Sequence, residues 1–224
     1  MNNNSGSLLV RPTLCFVTNF NDLTERDLLS LIQDAVDGGV NMVQIREKDL
    51  SSQHLLPTAL AIKEIVKDKA LLIVNKHVDL ALACGADGIQ LGEEAISVVS
   101  ARKLTEIKLL IGRSVHSVGS AQEAERQGAD FLIVGTIFST PSKLDIIPKG
   151  LNLLEEVASA VKIPFRGIGG IDKHNAAKVV GQGAAGVAVI RSILGATDRR
   201  EAAREIKEEV SRSFFGRGNF ARNR

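Results

Sequence analysis

Eight short runs rich in β-branched and aliphatic residues recur along this chain, at 14–18, 42–45, 71–74, 88–91, 109–112, 131–135, 165–168 and 186–190. Most are continuously apolar rather than alternating. That is the pattern of strands buried on both faces, as in a parallel sheet. Helical patterns fill the intervals. Leu28, Leu31, Ile32 and Ala35 recur at helical spacing and stop at Gly38-Gly39. Leu55, Leu60, Ile62, Ile65 and Val66 follow Ser51-Ser52, which suits an N-cap. A pattern over 121–126 ends at Gly128; Leu154, Val157 and Val161 lead to Pro164; Asp172 opens a helix ending near 181–183.

Eight strand–helix units in 224 residues close most simply into a (β/α)8 TIM barrel, a single α/β domain. The alternative, an open doubly wound sheet, usually carries a glycine-rich phosphate turn directly after its first strand. Here that place holds Asn19-Phe20-Asn21-Asp22, without glycine. The phrases GGVNMVQI, CGADGIQL, QGADFLIV and QGAAGVAV repeat one unit, a helix end, a glycine and a buried strand. They read as the turns at the bottom of the barrel. The expected division is an N-terminal extension over 1–12, the barrel over 13–211 and a basic flexible tail over 212–224.

Composition narrows the functional classes. With 44% hydrophobic and 24% charged residues the chain is not disordered, collagenous or a disulfide framework. Its formal charge of +2 turns to −2 without Arg212, Arg217, Arg222 and Arg224, so the body is not built to bind a polyanion. Phe and Arg do interleave in the tail SRSFFGRGNFARNR, as in some single-strand binders. A stretch this short and solitary fits a frayed terminus or a subunit contact better, so no nucleic-acid partner is expected. Cys15 and Cys84 lie in apolar runs, as buried thiols of a reducing compartment do. There is no CxxC pair or histidine cluster to suggest zinc. The start MNNNSGSLLVRP lacks the charged and apolar regions of a secretory leader, and no apolar run approaches the ~18–20 residues of a membrane span. A cytoplasmic protein with no membrane partner is expected.

In a barrel, chemistry belongs at the C-terminal ends of the strands. The second strand ends Gln44-Ile45-Arg46-Glu47-Lys48, and alternation points Gln44, Arg46 and Lys48 the same way. A barrel interior gives Arg and Lys no structural use, so they are expected to hold an anion, Arg as a fork and Lys as a point charge. The third strand ends at Asn75, an amide donor and acceptor. His77 beyond it reads as a surface helix residue, and Asp79 as a cap. Ser114 and His116 stand at the end of the fifth. His116 is the histidine placed immediately beyond a barrel strand, and imidazole suits proton transfer near neutrality.

After the sixth strand a long loop, with Thr140, Ser142 and Lys143, suits a lid over an oxyanion. The seventh ends Gly169-Gly170, and the eighth runs through Val189 and Ile190 to Ser192. Loops seven and eight are the usual phosphate seat of a barrel, and glycines let backbone N–H groups face the anion. Two anion sites thus face each other across one mouth, as for a small phosphorylated substrate with a second anionic group.

The phrases VQIREK, GADGIQLGEE, IGRSVHS, TIFSTPSK and GIGGI, in this order, resemble the thiamine phosphate synthase/TenI family of barrels over residues 14–211. The resemblance implies one of two activities in thiamine biosynthesis. A synthase joins a pyrimidine diphosphate to a thiazole phosphate with Mg²⁺. A tautomerase aromatises a thiazole carboxylate phosphate without metal. By resemblance, Gln44, Arg46, Lys48, Asn75, Ser114 and Lys143 hold the pyrimidine and its diphosphate. Gly169, Gly170 and the stretch from Val189 to Ser192 cradle the thiazole phosphate, and His116 matches the tautomerase acid/base. Such barrels commonly pair, which allows a homodimer.

Lys76 and Ala95 stand where synthases of this family carry Mg²⁺-binding aspartates. The expectation is therefore a metal-independent, cofactor-free thiazole tautomerase acting through His116 on a phosphorylated thiazole. The first alternative is the synthase, with Mg²⁺; the second is a non-catalytic regulator that binds a phosphorylated ligand.

Overall fold

The computed structural model describes residues 9, 11–19, 23–47, 50–106, 109–140 and 147–221. Eight parallel strands close into a barrel in chain order: β1 Thr13–Val17, β2 Met42–Ile45, β3 Leu71–Asn75, β4 Gly88–Leu91, β5 Leu110–Val115, β6 Phe131–Gly135, β7 Phe165–Ile168 and β8 Gly186–Val189. The closing pair sets Thr13 of β1 opposite Gly186 of β8. Around the barrel lie α1 Glu25–Asp37, α2 Ser52–Val66, α3 Val78–Ala83, α4 Val98–Thr105, α5 Val118–Arg126, α6 Asn152–Ala160 and α7 Ala176–Gly181. A short α8, Arg191–Leu194, precedes the long closing α9, Arg199–Ala221.

The expected (β/α)8 architecture is present, and the continuous apolar runs have their reason. One parity of each strand points inward, where Cys15, Val17, Met42, Leu71, Ile73, Phe131, Ile133 and Ala188 form the barrel core. The other parity, including Leu14, Phe16, Val43, Leu72, Leu132 and Val187, packs beneath the helices. Both parities lose their water, so neither alternates with polar residues. The apolar run stops short of the strand's end in β5. Arg113 and Ser114 interrupt it, but the backbone goes on pairing with β6 as far as Val115. The helix expected from Asp172 begins at Ala176, because residues 172–175 form a turn in which Asp172 N donates to Asn175 Oδ1.

The repeated phrases are the bottom turns, and in three of the four the polar residue just before the strand, Asn41, Asp87 or Asp130, is a latch. The glycine ends the helix in a left-handed turn, as at Gly128 with φ 89°. The next-but-one residue then reaches the preceding strand. Asp87 Oδ2 accepts from Leu72 N at 2.8 Å and from Lys63 Nζ at 3.0 Å. Asp130 Oδ2 accepts from Ile111 N at 2.7 Å and Arg102 Nη2 at 2.6 Å. Asn41 Oδ1 accepts from Leu14 N at 2.9 Å. These bonds fix the starts of β2, β4 and β6, and thereby the height at which their other ends reach the mouth.

Arg166 fills the barrel floor and is fully buried. Its Nη2 donates to Leu9 O at 2.8 Å and Thr13 Oγ1 at 3.0 Å, and its guanidinium lies 5.3 Å from the centre of the Phe131 ring. Burial lowers its pKa to about 10 and raises that of Cys15 to about 12.

The closing helix crosses the boundary drawn before residue 212. Ala203, Ile206 and Val210 bury its inner face. Beyond them Ser213 Oγ donates to Ala177 O at 3.0 Å, and Arg217 Nη2 to Ala184 O at 2.9 Å. Phe214 and Arg217, three apart, share a helix face and stack at 5.2 Å. No described helix is long and apolar enough to cross a membrane.

Candidate active site

The inward parity that is apolar in mid-barrel turns polar at the top. Gln44, Asn75, Gln90 and Ser114 continue the inward positions of β2 to β5. Gln90 Nε2 donates to Ser114 Oγ at 3.0 Å. A Cβ on Gly112 would stand 2.2 Å from Gln90 Oε1 and 2.3 Å from the Phe131 ring, so the bare α-carbon makes room for that amide. Gln44 is 3% exposed, and its Nε2 has no hydrogen-bond partner among the described residues. A buried amide left so is poised for a polar ligand atom.

Arg46, at the rim beyond Gln44, has its backbone fixed. Its N–H donates to Thr18 Oγ1 at 3.0 Å, and that hydroxyl donates to the buried Glu47 carboxylate at 2.8 Å. Lys48 lies outside the described residues.

Beyond β3, Lys76 is exposed and in the left-handed region, with φ 55°. Its N–H donates to Gln90 O at 2.9 Å, and His77 N donates to Asn75 O at 2.7 Å. His77 departs from the surface role expected of it. Its Nδ1 pairs with Ser52 Oγ at 3.1 Å, and its Nε2 is buried. Burial, and then the Lys76 charge, hold its pKa below the ordinary imidazole value. Asp79 does not cap α3, whose N-cap is His77 without a side-chain bond.

His116 lies just past β5. Its Nδ1 donates to Gly135 O at the end of β6, and its Nε2 stands 3.8 Å from Glu93 Oε1. Arg113 steadies the Glu93 loop through Glu93 O at 3.2 Å and Ile96 O at 3.1 Å. Both ring nitrogens of His116 thus face protein acceptors.

On the opposite side, Gly169 and Gly170 adopt φ 106° and 63°. The β6 loop presses on them. A Cβ on Gly169 would lie 2.4 Å from Thr136 Cγ2, and one on Gly170 2.4 Å from Ser139 O. The glycines therefore serve loop packing as well as any ligand. Ile190 packs against the inner core, whereas Val189 faces the helices, so only its backbone can serve the mouth. Ser192 Oγ donates to Ile171 O, tying α8 to the β7 loop. Thr140 follows β6 in the same loop; Ser142 and Lys143 lie outside the described residues.

The mouth thus joins an amide-and-hydroxyl wall, rimmed by Arg46 and Lys76, to a glycine turn backed by a short helix. Sequence reasoning missed Gln90, Thr18 and the floor residue Arg166. Gln90 was accessible by simple alternation from Gly88.

The chain matches the model of the family described as thiamine monophosphate synthase (TMP-TENI) over residues 14–193. It is 41% identical over 201 residues to a thiamine-phosphate synthase of Clostridium acetobutylicum, covering 89% of this chain and 95% of the relative. To that of Moorella thermoacetica it is 44% identical over 190 residues, 84% and 90% of the two chains. A solved thiamine phosphate pyrophosphorylase from Pyrococcus furiosus superposes with a TM-score of 0.84 at 34% identity, covering 92% of this chain and 98% of that one.

These likenesses correct the expected tautomerase. The similarity runs through the whole barrel toward synthases, and it outweighs the two altered positions and the histidine on which that expectation stood.

The Mg²⁺ implied by the resemblance lacks both carboxylates that the resemblance assigns to it, and Glu93 and Glu94, beside Ala95, are the nearest carboxylates in sequence. No group of three or more His, Cys, Asp or Glu among the described residues could hold a metal. The two positions in question offer an ammonium, Lys76, and a methyl, Ala95. Mg²⁺ requires hard oxygen ligands.

Proposed function

Because the chain belongs to the thiamine monophosphate synthase family, we propose that it makes thiamine phosphate. It joins hydroxymethylpyrimidine diphosphate to thiazole phosphate and releases diphosphate. The observation that supports this reading is one barrel mouth with two unlike rims, amides, a hydroxyl and Arg46 on β2 to β5, and the Gly169-Gly170 turn with α8 on β7 to β8.

Gln44, Asn75 and Ser114 hold the pyrimidine ring, a neutral heteroaromatic that needs both donors and acceptors. Arg46, Lys48 and Lys143 hold its diphosphate. Thr140 and Ser142 border the same loop. Gly169, Gly170, the backbone at Val189 and Ile190, and Ser192 hold the thiazole phosphate. A short extra helix after the eighth strand, here α8, is a frequent part of phosphate seats in barrels. The two buried free thiols suit work in the reducing cytoplasm.

Catalysis on this reading is mainly positioning, bringing two bound halves into reacting contact. His116 holds the β5 and β6 rims together through Gly135. Calorimetry with each half alone tests the arrangement. Each should bind at one site per chain, and saturating inorganic diphosphate should displace the pyrimidine diphosphate but not the thiazole phosphate; displacement of both would contradict two separate seats.

A further inference from the structure

We infer that the Lys76 ammonium meets the negative charge of the substrate's diphosphate, the task that a divalent ion would otherwise perform. The inference rests on the proposed synthesis for the identity of that ligand. In the joining step the carbon–oxygen bond to diphosphate breaks, and its electron pair leaves on the diphosphate oxygen. A nucleophilic atom of the thiazole supplies the pair for the new bond. The leaving group thus gains negative charge, and catalysis requires positive charge fixed where it develops.

The mouth offers that charge at Lys76. It stands at the end of β3, between the strand that carries Arg46 and the strand that carries Gln90. It is exposed at the rim of the mouth. A side-chain-bearing residue at φ 55° is uncommon, and such conformations persist where surrounding bonds impose them. Here two do: Lys76 N to Gln90 O at 2.9 Å, and His77 N to Asn75 O at 2.7 Å. The fold therefore spends backbone strain on this position, where a glycine or asparagine would sit more easily. Lysine serves phosphates as a point charge and needs no fixed geometry. The two positions that the resemblance gives to metal-binding carboxylates hold Lys76 and Ala95, and an ammonium neutralises phosphate oxygens directly.

The test is calorimetry with inorganic diphosphate in excess EDTA, using the parent protein, Lys76→Gly and Lys76→Arg. Glycine relieves the backbone while removing the charge, so lost binding cannot be assigned to misfolding. The parent should bind without metal. Lys76→Gly should bind at least about tenfold more weakly, as expected when a charge-assisted contact is lost, and Lys76→Arg should recover most of the affinity. Parent binding that requires Mg²⁺, or Lys76→Gly binding equal to the parent's, would overturn the inference. The readout needs no turnover. A Lys76-dependent, metal-free affinity in a protein that makes no thiamine phosphate would uphold the charge assignment while refuting the proposed synthesis.

Discussion

The Thr18 hydroxyl donates to the Glu47 carboxylate at 2.8 Å and accepts from Arg46 N at 3.0 Å, so one small side chain ties β1 to the loop after β2. Both Thr18 and Glu47 are buried. Thr18→Val keeps the shape and removes both bonds. It should lower unfolding free energy by about 1–3 kcal/mol, the cost of buried groups left short of a partner. Thr18→Ser should recover most of it. Urea unfolding of the two variants checks this, and a valine variant as stable as the parent would show that the tie is idle.

Gly170 combines φ 63° with a β6 loop that leaves no room for a Cβ. Gly170→Ala should therefore cost more than about 1 kcal/mol of stability. It should also raise the KM for thiazole phosphate, because the β6 loop must move away from the phosphate seat. Denaturant melts and steady-state kinetics measure the two effects.

Lys207 links stability to pH. Burial lowers its pKa from 10.5 to about 8, although its Nζ still donates to Pro12 O at 2.6 Å. Between those values the folded lysine has lost its proton while the unfolded one keeps it. The unfolded state then binds more protons, so stability rises with pH across this window. Lys207→Met should flatten that rise. A parent and variant with parallel stability profiles from pH 8 to 10.5 would contradict the shift.

His116→Asn tests the role left to the histidine. Loss of a general acid or base costs about 10²–10⁴ in rate. The joining reaction moves no proton in its bond-making step, so turnover should stay within about tenfold of the parent's. A hundredfold loss would restore a proton-transfer role to His116.

Much of this was legible in the amino-acid sequence because burial on two faces leaves a local mark. The runs at 42–45, 88–91, 131–135 and 165–168 coincide with β2, β4, β6 and β7. β5 was cut short because Arg113 and Ser114 look like a loop until their pairing with β6 is seen. The latch made by Asp87 and Asp130 connects residues 15 and 19 positions apart, and no local pattern announces it. Arg166 carries no signal of its own, since a lone arginine in an apolar run gives no hint that it faces inward. Gly169 and Gly170 were legible as a turn, but the loop resting on them was not. Lys76, Ala95 and His116 point to proton relocation only if two missing carboxylates outweigh the rest of the pocket. Likeness to synthases along 201 residues at 41% identity says otherwise.

The most direct measurement of the central claim is product formation by the purified chain from both halves together. Hydroxymethylpyrimidine diphosphate and thiazole phosphate should yield thiamine phosphate and diphosphate in equal amounts, at a rate that saturates in each substrate. Omitting either half should abolish both products. Failure to form thiamine phosphate from the two, with and without Mg²⁺, would contradict the account.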